Sequence, residues 1–376
     1  MLSTSETPHE DCCARDCKAR DTVNGQSIYP LVIEPKETPA IWGGDALVKQ
    51  FGKPGDPSEK LGESWECWDE NKIANGAYQG KTIAQLREIL GTQLMGNLDT
   101  HHLFPILTKI IDARDWLSVQ VHPDDAYAQR VEHQQNGKTE CWYVLHAEPD
   151  AQLVLGWTQD TSRAEYLRRV QDGSLGDILR RVPIKAGQAF YLPAGSLHAI
   201  GAGIIIFETQ QASDLTYRIF DWNRTGADGK PRELHVDKAA DVLNYHRGVH
   251  GAIEPITYHL DDMERTVFIA DRRFTVERIV AQGNPASIPT DGRPLIVMAL
   301  EHPLEVSVEE NAVKLDRYQT ALIPAAAQWC TVLAPAENAP FMFVTPPTHP
   351  ENVAVRLIAA GIDQDRIDRF MAQFAE

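Results

Sequence analysis

Leu117-Ser118-Val119-Gln120-Val121-His122-Pro123-Asp124-Asp125 is a strand-like run in which polar side chains recur at every second position. Successive strand residues point to opposite faces, so Ser118, Gln120 and His122 are expected to share one face. Burying a polar group without a partner costs on the order of a few kcal/mol, so that face implies a metal or a polar ligand. Further along, Gly137-Lys138-Thr139-Glu140 opens the strand Cys141-Trp142-Tyr143-Val144-Leu145 and brings Lys138 and Glu140 together by the same period. A third run, Gly187 to Leu197, ends in His198. Gln120, His122, Glu140 and His198 then make one metal-ligand set drawn from three strands.

The 376 residues carry a net charge of −17, which opposes binding to nucleic acid or an anionic membrane. An anionic substrate therefore needs a local positive pocket. Cys12, Cys13, Cys17, Cys67, Cys141 and Cys330 lack the spacing of a disulfide scaffold, and a reducing compartment is expected. The stretch before about Gln26 is polar and has no apolar run of signal-peptide type, so it is expected to be a disordered leader. No stretch reaches the length of a membrane span.

From Ile28 onward, short apolar runs broken by Pro and Gly predict strands and tight turns. Trp42 and Trp65 are expected in a β core. Thr82 to Gln85 is a capping box opening a helix with Leu86, Ile89 and Leu90 buried, and Thr161 to Glu165 is a second box. Another helix is expected from Ser174 to Val182, ended by Pro183. Phe104 to Asp112 predicts a strand buried on both faces, interrupted by Lys109, which is either an edge residue with its head in water or the group that binds an anion. His101, His102 and His133 are expected on the surface. Glu208, Gln210, Asp214 and Arg218 form a polar row after the apolar Ile204 to Phe207.

Gln188-Ala189-Phe190-Tyr191-Leu192-Pro193-Ala194 aligns with Gln319-Thr320-Ala321-Leu322-Ile323-Pro324-Ala325, and Trp329 then falls where His198 stood. A second β unit of similar plan without that metal ligand follows, with a structural role expected. In the tail, Pro350 suits the first helical position, Gly361 a helix end and Asp363 the next N-cap. Ile367, Phe370, Met371 and Phe374 form one apolar stripe expected to pack on the chain's own barrel.

The spacing Gly187-x5-Pro193-x-Gly195-x2-His198 matches the second motif of the cupins, small β-barrels that hold a metal by His and Glu. With Ile41 to Gly44, Gly62 to Glu66, Leu117 to Asp125, Gly137 to Tyr143, Pro193 to Gly201 and Glu208 to Arg224, the chain resembles class I mannose-6-phosphate isomerases, nearest the short bacterial form, over roughly Ile28 to Pro346. Pattern and resemblance together imply a mainly β fold of two cupin-type (jelly-roll) β-barrels, with a small helical insertion and a C-terminal helical tail. The expected divisions are a leader over 1–26, a metal-binding catalytic cupin over 27–240 with its insertion near 161–183, a second, degenerate cupin over 250–346, and the tail over 347–376.

The resemblance implies one Zn(2+) per chain on Gln120, His122, Glu140 and His198, phosphate contact by Ser118 and Lys109, and a catalytic row of Lys138, Glu208, Asp214 and Arg218. It implies interconversion of mannose 6-phosphate and fructose 6-phosphate through an enediol, by a cytoplasmic monomer or homodimer whose partner is the sugar phosphate. The base stays open among Glu208, Asp214 and a Lys138 whose pKa the metal lowers, while Arg218 suits charge stabilisation. Two readings compete: a non-catalytic sugar-phosphate-binding cupin acting as a sensor or regulatory protein, and an iron-dependent cupin dioxygenase.

Overall fold

The run around Lys109 becomes the strand Ile106–Ala113, buried along its whole length. Its neighbours are Ile204–Gln211 on one side and Leu61–Cys67 on the other, so Lys109 stands in mid-sheet and the reading of it as an edge residue falls away. The computed structural model describes residues 22–23, 26–99, 101, 103–226, 229–248, 251–281, 284–334, 339–346 and 349–375. Most of the expected leader, with Cys12, Cys13 and Cys17, lies outside the described residues, as does His102. Within the described part of the leader, Thr22–Val23 pairs with Gln26–Ser27 as a small hairpin.

The first sandwich stacks a six-stranded antiparallel sheet on a five-stranded one. The larger runs Ala189–Leu192, Glu140–Ala147, Ile204–Gln211, Ile106–Ala113, Leu61–Cys67, Lys36–Gly44, and the smaller Leu179–Pro183, Gln152–Trp157, His198–Ile200, Val119–Val121, Tyr217–Phe220. Trp142, Val144, Phe190, Leu153 and Ile206 fill part of the space between them. Aliphatic and aromatic residues meet there because alternate positions of each strand face inward. Trp42 is buried in this core, as expected, and also reaches the wall of the cavity described below.

The second sandwich repeats the order. Thr320–Ile323, Leu295–Ala299, Pro340–Thr345, Thr275–Ala281, Met263–Ala270 and Ile256–Leu260 follow one another like the six strands of the first, facing a four-stranded sheet that includes Ala286–Pro289 and Trp329–Leu333. Leu31–Glu34 adds itself to the free edge of Thr320–Ile323, with Lys72–Ile73 beyond it, so these N-terminal residues belong to the second sheet although they precede the first in sequence.

The helices sit outside the sheets. Thr82 caps Ile83–Leu90 with both bonds of the box present, but Ile89 is 40% exposed and Ile83, Leu86 and Leu90 are the buried positions. The helical insertion is shorter than expected. Arg163–Asp172 is a helix, yet Ser174 to Val182 becomes one turn, Leu175–Ile178, followed by the strand Leu179–Pro183. Leu175, Ile178 and Leu179 have helical spacing, but pairing with Gln152–Trp157 satisfies the backbone of a sheet edge that a helix would leave open. The tail forms two helices, Pro350–Ala359 and Gln364–Ala372, with Pro350, Gly361 and Asp363 in the expected places. Ile367, Phe370 and Phe374 are buried in the cluster that joins the outer faces of both large sheets.

Candidate metal and substrate site

Three of the sequence-selected ligands meet where the two sheets of the first sandwich face each other. His198 and Gln120 are cross-strand partners in the small sheet, while Glu140 begins a central strand of the large one. Among the described residues, His122, Glu140 and His198 form a buried group whose ligand atoms all lie within 4.8 Å of one another. His198 Nε2 is 3.2 Å from Glu140 Oε1, and His122 Nε2 is 3.5 Å from Oε2.

Tautomers follow from the other ring nitrogens. His122 Nδ1 lies 2.7 Å from the Leu215 carbonyl and His198 Nδ1 3.0 Å from the Ser196 carbonyl. A carbonyl only accepts, so each Nδ1 carries the proton and each Nε2 presents a lone pair to the centre. Burial holds both imidazoles neutral, with Lys138 adding to the effect: His122 lies well below the ordinary histidine range and His198 falls to about 4. Both Glu140 carboxylate oxygens are buried, with the Lys138 ammonium 2.8 Å from Oε2. Two imidazole lone pairs facing a buried carboxylate fit a divalent cation.

Gln120 completes the arc, with Nε2 3.2 Å from His198 Nε2. A half-turn of its amide would present Oε1 there instead, since the two amide atoms are nearly isosteric.

A cavity of about 500 Å³ opens above this centre. Ser118, Lys109, Lys138, Glu208, Asp214 and Arg218 all line it, so the structure gathers every substrate-facing residue selected from sequence. Their settings differ. Lys138 Nζ lies 2.8 Å from Glu140 Oε2 and 3.4 Å from His122 Nε2. Burial opposes its charge, but Glu140, Glu208 and Asp214 more than offset that and hold the ammonium above the ordinary lysine range. Glu208 Oε2 accepts from Trp142 Nε1 at 2.8 Å, while Oε1 is buried without a hydrogen bond. Burial raises the pKa of Glu208 despite Lys138. Asp214 is exposed at the mouth, and the half-buried Arg218 donates from Nη1 to the Glu233 carbonyl at 3.0 Å.

Sequence reasoning missed Glu63. It lies 3.2 Å from Lys109 Nζ, with Glu208 Oε1 at 3.6 Å on the other side and the Trp65 ring beneath. Burial opposes the Lys109 charge, but the two carboxylates keep its pKa raised. The available signal was Glu63 two residues before Trp65 in Leu61–Cys67, on the same face by the strand period.

A sequence profile for the catalytic domain of type I phosphomannose isomerase matches residues 31–143. Mannose-6-phosphate isomerase of Streptococcus mutans is 38% identical over 295 residues, covering 76% of this chain and 90% of that one. The Bacillus subtilis enzyme of the same name is 39% identical over 279 residues, 72% of this chain and 85% of its own. A crystal structure of mannose 6-phosphate isomerase from Bacillus subtilis superposes with a TM-score of 0.77 at 32% identity, covering 84% of this chain and 99% of the other. The fold and its buried His-Glu-His centre define a cupin enzyme. Within that class the chain belongs to the type I phosphomannose isomerase family.

Proposed function

We propose that the chain is a zinc-dependent aldose-ketose isomerase interconverting mannose 6-phosphate and fructose 6-phosphate through an enediol, with one Zn(2+) held by Gln120, His122, Glu140 and His198. The observation that carries this reading is the buried Glu140 carboxylate between two imidazole lone pairs, beside a cavity that Gln120 and Lys138 line together with further cations and carboxylates. Nitrogen and oxygen donors of this kind would suit catalytic zinc. When bound, the ion supplies Lewis acidity and orients sugar oxygens.

The side chains divide the remaining work. Lys109, Lys138, Arg218 and Arg232 line the cavity together with Glu63, Glu208 and Asp214, and a dication at the neighbouring His-Glu-His group would add to its attraction for a phosphate. Because Glu63 and Glu208 already compensate Lys109, phosphate contact at Lys109 and Ser118 depends on that total charge rather than on one ammonium. Moving the carbonyl between C1 and C2 removes a carbon-bound proton and leaves negative charge on a sugar oxygen, which the fixed charges of Lys138 and Arg218 stabilise. Glu208 is our choice for the proton carrier: one oxygen is anchored by Trp142, and the other accepts no hydrogen bond among the described residues.

The test pairs metal analysis of protein purified without added metal with a coupled isomerase assay on mannose 6-phosphate. Near-stoichiometric zinc with turnover is expected. Sugar-phosphate binding without turnover would make the chain a non-catalytic sugar-phosphate binder, and bound iron would overturn the metal assignment.

A further inference from the structure

The two sandwiches can be laid over one another residue by residue through their strand registers. Leu192 pairs with Glu140 in the first, and its aligned counterpart Ile323 pairs with Leu295 in the second. His198 pairs with Gln120, and Trp329 pairs with Pro289. The ligand positions Gln120, Glu140 and His198 thus become Pro289, Leu295 and Trp329, none of which can hold a metal.

The charged wall has a counterpart as well. Trp142 pairs with Glu208, which pairs with Lys109; at the matching positions Val297 pairs with Phe343, which pairs with Glu277. Trp65 opposite Lys109 corresponds to Val267 opposite Glu277, and two residues earlier Glu63 corresponds to Arg265. The buried Lys109–Glu63 pair of the first sandwich reappears in the second with its signs exchanged, Arg265 Nε lying 2.8 Å from Glu277 Oε2.

This second position is hollow. A cavity of about 130 Å³ is lined by Arg265, Pro289, Leu295 and Trp329 from the sandwich and closed by Arg356 of the tail helix Pro350–Ala359. Arg356 also binds Glu277, so two guanidinium groups share one buried carboxylate. Arg356 Nε is buried without an acceptor among the described residues. Arg293 lines the same cavity, and among the described residues its side chain makes no hydrogen bond or ion pair. Arg265 and Arg356 thus hold the interior carboxylate Glu277, while the half-buried Arg293 lines the same cavity near the exposed Asp291, and Asp261 is exposed in the lining as well. Trp329, 56% exposed, presents an aromatic ring beside them.

We propose that this cavity is a second, metal-free ligand site for a small oxyanion, a phosphate or carboxylate group, received by Arg293 and Arg356 at the place that corresponds to the His-Glu-His group of the first sandwich. Guanidinium forks match such groups by paired hydrogen bonds, and Arg356 Nε and the Arg293 side chain have donors to offer there. The site is independent of the isomerase reading, since none of its residues lines the metal cavity.

The experiment uses the full chain with its metal and inorganic phosphate or acetate as probe, following binding by calorimetry and, separately, inhibition of isomerisation by the same anion. Saturable binding is expected in the parent protein. Arg293→Ala should weaken it about tenfold or more, as expected for losing one charge-assisted donor group, with Arg293→Lys intermediate. Isomerase KM and its inhibition by phosphate should not change. A phosphate-only or an acetate-only response would identify which oxyanion is preferred and support the site. Binding undiminished in Arg293→Ala, no saturable binding in the parent, or a parallel change in inhibition of isomerisation would each overturn the proposal.

Discussion

Lys109 shows what one side chain can and cannot reveal. A lysine inside an apolar β-branched run is visible in sequence as an anomaly, but its two carboxylate neighbours come from the strands on either side, which only the sheet order brings next to it. Lys109→Ala is therefore expected to do two things: raise KM for the sugar phosphate, and lower the melting temperature by leaving Glu63 and Glu208 buried without their cation, a loss of roughly 3–5 kcal/mol when one partner of a buried pair is removed. Combining Lys109→Met with Glu63→Gln should recover much of the stability but not the KM; recovery of both would remove Lys109 from substrate binding. Glu208→Gln should lower kcat by about 10²–10⁴ with little change in KM, as for loss of a general base, and a kcat loss under tenfold would point to another proton carrier. The clustering of the candidate ligands was legible because Gln120, His122, Lys138 and Glu140 obey the strand period locally. The carbonyls of Leu215 and Ser196 that fix the histidine tautomers are backbone atoms of loops, which no residue pattern announces.

Among the elements, caps and strands were easier to read than the boundary between helix and strand. The box on Ile83–Leu90 is a local pattern, and Thr82→Ala should cost about 1 kcal/mol, measured by denaturant unfolding with an unchanged slope. Ser174 to Val182 was misread because its apolar spacing fits both structures, and the deciding partner, Gln152–Trp157, lies elsewhere in the chain. The loop after Tyr217–Phe220 is tied down by Asp221, which accepts from Arg224 and from Arg232. Burial raises the Asp221 carboxyl pKa, but these two arginines more than offset it and leave it below the ordinary range. A folded-state pKa below the unfolded one stabilises the protein above the ordinary carboxylate pKa of about 4 and ceases to do so as pH falls through it. The melting temperatures of the parent and Asp221→Asn should accordingly differ more at pH 7 than at about pH 2. A gap of equal size at both pH values would mean that charge plays no part.

At the scale of the molecule, the repeat was legible from seven aligned residues, Gln188 to Ala194 against Gln319 to Ala325, because a strand and the turn after it carry enough local chemistry to be recognised twice. The outer faces of the two large sheets share one apolar cluster, into which the tail inserts Ile367, Phe370 and Phe374. Phe370→Ala should cost about 3–5 kcal/mol and lower a single calorimetric transition; two separated transitions in the parent protein would show that the halves unfold independently. How Leu31–Glu34 joins the second sheet could not be read from the chain order. Its partner Thr320–Ile323 lies almost the length of the polypeptide away. On the ribosome, Leu31–Glu34 emerges long before Thr320–Ile323, so a nascent chain halted before Thr320 keeps that edge of the strand available to chaperones or to neighbouring nascent chains.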